Sequence, residues 1–163
     1  MNGNQNIIFI SGQILFNPDD KTKKHQKQNS WKRVAMVMFE GDITDYYAWF
    51  IRKRYSIVLN RPLRKAHVTF INDREGDTNG KWEEVKKIWN GKTVEVGLNP
   101  DVRTNADFWW LNVQPNDTLD EIRHSLGLGD PYFSYHLTVG YPNEKNIDQS
   151  RYIHDLIKKS LIP

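Results

Sequence analysis

HVTF at residues 67–70 and HLTV at residues 136–139 share one form, His, apolar, Thr, apolar, and their reading decides that of the rest of the chain. On a strand, whose side chains alternate between faces, this order sends His67 and Thr69 to one side and Val68 and Phe70 to the other. His136 and Thr138 part from Leu137 and Val139 in the same way. Each strand therefore offers an imidazole beside a hydroxyl, backed by core.

Outward from each motif the elements repeat. Ahead of the first lies WKRVAMVMFE (31–40), a strand with Val34, Met36 and Met38 on one face. ITDYYAWFIRKRYS (43–56) follows, with Ile43, Tyr47, Phe50 and Ile51 at helical spacing and Asp42 or Thr44 as N-cap. After the Asn60-Arg61-Pro62 turn come the motif strand (66–72) and a helix (81–89) that Asn90-Gly91 closes. The second half reads as a strand (107–113), a helix opened by a Thr118/Glu121 capping box and stopped at Gly127, a motif strand (134–141), and a helix (147–161) with Ile153, Leu156, Ile157 and Leu161 on one stripe. Residues 31–89 and 107–161 thus share the order strand, helix, H-x-T strand, helix. This predicts an internal duplication: an α+β fold of two β-α-β-α lobes related by a pseudo-twofold axis, with antiparallel sheets flanking a central cleft.

Outside the repeats, IIFISGQILF (7–16) reads as a strand broken by a bulge or tight bend at Ser11-Gly12-Gln13, and TVEVGL (93–98) alternates as a strand. Residues 17–30 hold none of the hydrophobic residue types and predict a mobile basic loop carrying Lys21, Lys23, Lys24 and Lys27.

At 163 residues the chain predicts one domain spanning 1–163, with 6 Trp, 7 Tyr and 7 Phe to build its core. It has no cysteine, which excludes disulfides, thiolate nucleophiles and thiolate-held metals. A net charge of +3 suits a small anionic ligand rather than duplex DNA. No apolar run approaches the ~18 residues of a membrane span, and MNGNQNIIFISG lacks the basic n-region of a secretory signal. The expectation is a cytoplasmic monomer with no membrane partner.

Two imidazoles, one neutral and one protonated near pH 7, are suited to act as general base and general acid on opposite sides of one phosphorus. The hydroxyls of Thr69 and Thr138 would donate to its non-bridging oxygens. That scheme needs no cofactor or metal. A metal site built from His67, His136 and Asp73 is disfavoured, because H-x-T offers a hydroxyl where a metal prefers a second His or a carboxylate. The residues leave open which His is acid and which is base.

The paired H-x-T strands resemble those of the 2H phosphoesterase superfamily, which includes 2′,5′ RNA ligase-like proteins and 2′,3′-cyclic phosphodiesterases. The resemblance covers about residues 31–161 and implies a bilobal fold with both motifs in a cleft and catalytic roles for His67, Thr69, His136 and Thr138. An Arg often stands three residues after a motif Thr in the RNA ligase-like branch; this chain has Asn72 and Tyr141 there. Small size and compact spacing are similar to the phage anti-CBASS cyclic-nucleotide phosphodiesterases. That likeness implies metal-independent cleavage of 3′–5′ bonds in cyclic oligonucleotide messengers, by attack of a ribose 2′-OH. An RNA-end 2′,3′-cyclic phosphodiesterase acting on short RNA is the alternative, and non-catalytic nucleotide sequestration the second.

Other residues have both a packing and a ligand reading. Trp109 and Trp110 point to opposite faces of one strand; core packing is the first reading of both, and stacking on a base the second. Tyr132 and Tyr135 lead into the second motif and Tyr141 leaves it, as candidate base platforms. Arg64 and Lys65 precede the first motif and would lend positive potential. His25, His124 and His154 have no partner that suggests catalysis.

Overall fold

The computed structural model describes residues 6–18, 33–72 and 80–163. Its strands are β1 (Ile8–Phe16), β2 (Ala35–Met38), β3 (Leu59–Asn60), β4 (His67–Ile71), β5 (Thr93–Thr104), β6 (Trp109–Val113) and β7 (His136–Pro142). The helices are α1 (Ile43–Tyr55), α2 (Trp82–Trp89), α3 (Asp117–Ser125) and α4 (Ile147–Lys158), the last preceded by a 3-10 turn at Glu144–Asn146. Neighbours run β7-β4-β2-β1-β5-β6, and β6 pairs back to β7, so six antiparallel strands close into a barrel. Closure gives each of the six a paired neighbour on both sides. β3 adds to β7 beyond the ring, and a Cβ on Gly140 would lie 2.6 Å from the Asn60 carbonyl oxygen, so glycine is what lets β3 approach.

Apolar side chains on one face of the barrel meet the helices. Phe16 packs edge-on against Trp82 of α2 at 5.0 Å, and Trp109 lies 5.4 Å from Tyr55 of α1. Tyr47, Ile51 and Tyr55 recur every four residues on α1, and Leu119 and Ile122 three apart on α3, so each helix buries one stripe. Val68, Phe70, Leu137 and Val139 belong to the same buried cluster. This covering of one face leaves the motif histidines and threonines on the other.

The element order β1-β2-α1-β4-α2 recurs as β5-β6-α3-β7-α4. The expected order of strand, helix, H-x-T strand and helix recurs, with β3 as an extra strand in the first copy, and each copy gains a leading strand, so that it starts with the hairpin β1-β2 or β5-β6. The expectation for β5 stopped at residue 98. The strand continues to Thr104 through a register shift between Leu98 and Val102, where Asn99 Oδ1 accepts from Asp101 N at 2.9 Å and the irregularity accommodates Pro100.

Other boundaries move for local reasons. β1 is continuous; Gly12 serves close packing rather than a bulge, since a Cβ there would sit 2.6 Å from Val37 Cγ1. The helix expected to start at Thr118 is capped by Asn116, whose Oδ1 accepts from Leu119 N at 3.1 Å. Gly127 adopts φ 70° just past it, as a stop should. α4 ends at Lys158 and leaves Leu161 exposed. Residues 19–30 of the expected loop, with its lysines and His25, lie outside the described residues, as do Trp31 and Lys32. No helix among the described residues is long and apolar enough to cross a membrane.

Candidate active site

β4 and β7 pair antiparallel at Val68 and Leu137, the central apolar residues of the two motifs. That register sets His67 across from Thr138 and Thr69 across from His136. The motifs thus cross head to tail about a local twofold between Val68 and Leu137. All four polar side chains are half-buried on one face, while Val68 and Leu137 are fully buried on the other. The two histidines are diagonal neighbours across the strand pair, a relation that sets residues roughly 7–8 Å apart.

The match extends to hydrogen bonding. His67 Nδ1 donates to the Lys65 carbonyl at 2.8 Å, and His136 Nδ1 donates to the Ser134 carbonyl at 2.8 Å, each two residues back. A carbonyl can only accept, so each ring in its neutral form would carry its proton on Nδ1 and keep Nε2 as the basic nitrogen. Both strands also carry the same irregularity. Thr69 pairs with Met36 but Ile71 with Ala35, making Phe70 the extra residue; Thr138 pairs with Trp110 but Gly140 with Trp109, making Val139 the extra one. The bulge follows the motif Thr in both copies and ends the H-x-T alternation there.

The walls differ. On β2, Met38 pairs with His67 and Met36 with Thr69; on β6, Asn112 pairs with His136 and Trp110 with Thr138. Trp110 Nε1 donates to Asn112 Oδ1 at 2.9 Å. Phe108 lies 5.8 Å from the His136 ring, 4.7 Å from Trp110 and 6.5 Å from Tyr141, forming an aromatic shelf on that side. Arg103 of β5 pairs with Trp110 and is half-buried beside it.

Burial lowers the His67 pKa below its ordinary value near 6.5 and outweighs the Lys65 carbonyl bond, which raises it; the charges of Arg64 and His136 lower it further. His67 is therefore neutral at pH 7, with Nε2 ready to take a proton.

The structure brings His67, Thr69, His136, Thr138 and Trp110 together. It buries Trp109 and Tyr135 in the core. Trp109 is fully buried, with Nε1 donating to Ser150 Oγ of α4 at 3.0 Å, because the alternation that puts Trp110 on the motif face puts its neighbour in the core. Tyr135 precedes the motif His by one residue, is buried for the same reason, and donates to Asp120 Oδ1 at 3.4 Å. Tyr132 is 57% exposed and its hydroxyl joins both polar atoms of the Asn72 side chain, at 2.6 and 2.9 Å. Tyr141 is exposed at the rim of the shelf. Arg64 is half-buried and acts on His67 through its charge. Lys65 is exposed and paired with Glu40 at 3.3 Å, and its contribution to the site is its backbone carbonyl.

Met36, Met38, Phe108, Asn112 and Arg103 were not legible as site residues. Strand pairing brings Met36, Met38 and Asn112 to the motifs and Arg103 to Trp110, and Phe108 reaches them by ring contact with Trp110 and His136. Arg123 was also missed: buried in α3, it donates through Nε and Nη2 to the Gly129 carbonyl at 3.0 and 2.8 Å and through Nη1 to that of Phe70 at 2.8 Å. It ties β4 to the segment leading toward β7. Asp73, the third group of the metal reading, lies outside the described residues.

No known protein family, curated protein or solved structure matches the chain.

Proposed function

We propose that this protein is a phosphodiesterase that cleaves 3′–5′ bonds of cyclic oligonucleotides by general acid–base catalysis. The observation that carries the reading is the crossed register of the two H-x-T motifs, each with its His held by the same Nδ1 bond. A phosphoryl group between the diagonal histidines would have one basic nitrogen on each side and one threonine hydroxyl beside each histidine.

His67 Nε2 takes the proton of a ribose 2′-OH. The O2′–P bond forms as the P–O5′ bond breaks, and His136 Nε2–H passes its proton to O5′, giving a 2′,3′-cyclic phosphate and a free 5′-OH. Thr69 and Thr138 hydroxyls donate to the non-bridging oxygens, where charge builds up. The lowered pKa of His67 favours it as base and leaves the acid role to His136. In this reading the repeated β-β-α-β-α units are the two lobes of a 2H phosphoesterase-like fold, with the motifs in the cleft between them.

A cyclic dinucleotide or trinucleotide suits this site better than a long RNA. Two different walls flank the phosphate position, one for a base on each side. The test incubates the protein in EDTA with cyclic di- and trinucleotides and, in parallel, with RNA ending in a 2′,3′-cyclic phosphate, and identifies products by mass spectrometry. Linear products from the rings support the proposal. Opening of the RNA end alone would make it an RNA-end phosphodiesterase, and unchanged ligand recovered as a complex would make it a sequestering protein.

A further inference from the structure

A cavity of about 470 Å³ adjoins the site on the side away from the aromatic shelf, within the ~300–1,000 Å³ range of small-molecule sites. Met38 lines the cavity and pairs with His67, and Lys65, which also lines it, supplies the carbonyl that holds the His67 ring. Leu15 and Met38 give it apolar surface, while Ser11, Gln13 and Thr93 bring polar groups; Gln13 pairs with Met38 on one side and with Thr93 on the other. Gln13 is exposed and donates through Nε2 to the Gly91 carbonyl at 3.2 Å, which leaves Oε1 as the acceptor that it offers.

We propose that this cavity, bounded by Gln13, Met38 and Thr93, is a base-recognition subsite for the nucleoside on the His67 side of the scissile phosphate, and that Gln13 Oε1 selects bases with an exocyclic amino group over uracil. The inference rests on the phosphodiesterase reading and adds to it which nucleoside is read, and by what. A flat base lies against Met38 and Leu15, and its amino edge meets Gln13. Uracil presents a carbonyl there, and two acceptors face each other without a proton.

The test uses dinucleotides that lack the 2′-OH and so survive binding: dApdA, dCpdA and dUpdA, with affinities from calorimetry. Wild-type protein should bind the first two about five- to tenfold more tightly than dUpdA. Gln13→Leu should erase that ratio, and Gln13→Glu, which keeps an acceptor, should retain it. Met38→Trp, which fills the cavity, should weaken all three. Equal wild-type affinities, or a ratio that survives Gln13→Leu, would overturn the subsite. The same preparations are assayed for cleavage of the ribose forms. Base preference without cleavage keeps the subsite and removes the phosphodiesterase, whereas cleavage without preference does the reverse.

Discussion

The two halves of the site share a scaffold and differ in their walls. His67 and His136 match in motif, in crossed register, in their bond to the carbonyl two residues back and in the bulge that follows. Around His67 the neighbouring strand contributes Met36 and Met38; around His136 it contributes Trp110 and Asn112, with Phe108 alongside. Backbone symmetry places two equivalent imidazoles, and in the proposed reaction the asymmetry of the walls would give them different work. Desolvation by its surroundings holds His67 neutral, as a base must be, and the aromatic side offers surfaces on which a base can stack.

The strongest way to break this comparison is to remove either ring. His67→Ala and His136→Ala should each lower kcat by about 10²- to 10⁴-fold, with melting temperature nearly unchanged because both side chains are only half-buried. Full activity in either variant would end the acid–base account. The adjacent tryptophans give the next contrast. Trp109→Ala removes a fully buried indole and should cost about 3–5 kcal/mol in denaturant unfolding. Trp110→Ala should leave most of the stability and raise KM about tenfold through lost stacking. If both behave alike, the division between core face and ligand face is wrong.

Smaller effects probe the methionine wall. Met38→Gln should hydrate His67 and shift the acid limb of the kcat/KM profile to higher pH, toward an ordinary imidazole. Linkage gives the sign for stability. The unfolded chain takes the His67 proton near pH 6.5 and the folded protein only at lower pH, so His67 costs no stability above that value. Stability falls as pH drops from 6.5 through the folded pKa. His67→Asn should flatten that part of the stability profile, which a series of urea titrations would reveal.

The legible parts of the molecule were those set by local chemistry. H-x-T alternation assigned four polar residues to one face, and helical spacing placed α1 to within a residue. Asn116 was missed as a cap because Thr118 with Glu121 offered a competing signature two residues on, and only the hydrogen bond to Leu119 N decides between them. The run through Pro100 was hidden because proline usually ends a strand, and a register irregularity is what admits it. Met36, Met38 and Asn112 became site residues only through pairing between strands, a long-range property that no single stretch of sequence encodes. The same limit separated Trp110 from Trp109: alternation put them on opposite faces, and the fold decides which face is the core.

The division of roles is the central claim, and sulfur in the leaving position tests it most directly. A dinucleotide whose bridging 5′ oxygen is replaced by sulfur has a leaving group that needs no proton. Cleavage of this substrate and of its oxygen parent is measured for wild type, His67→Ala and His136→Ala. The account expects His136→Ala to recover most of wild-type activity on the sulfur substrate while His67→Ala stays inactive on both. Recovery by His67→Ala instead, or by neither variant, would contradict it.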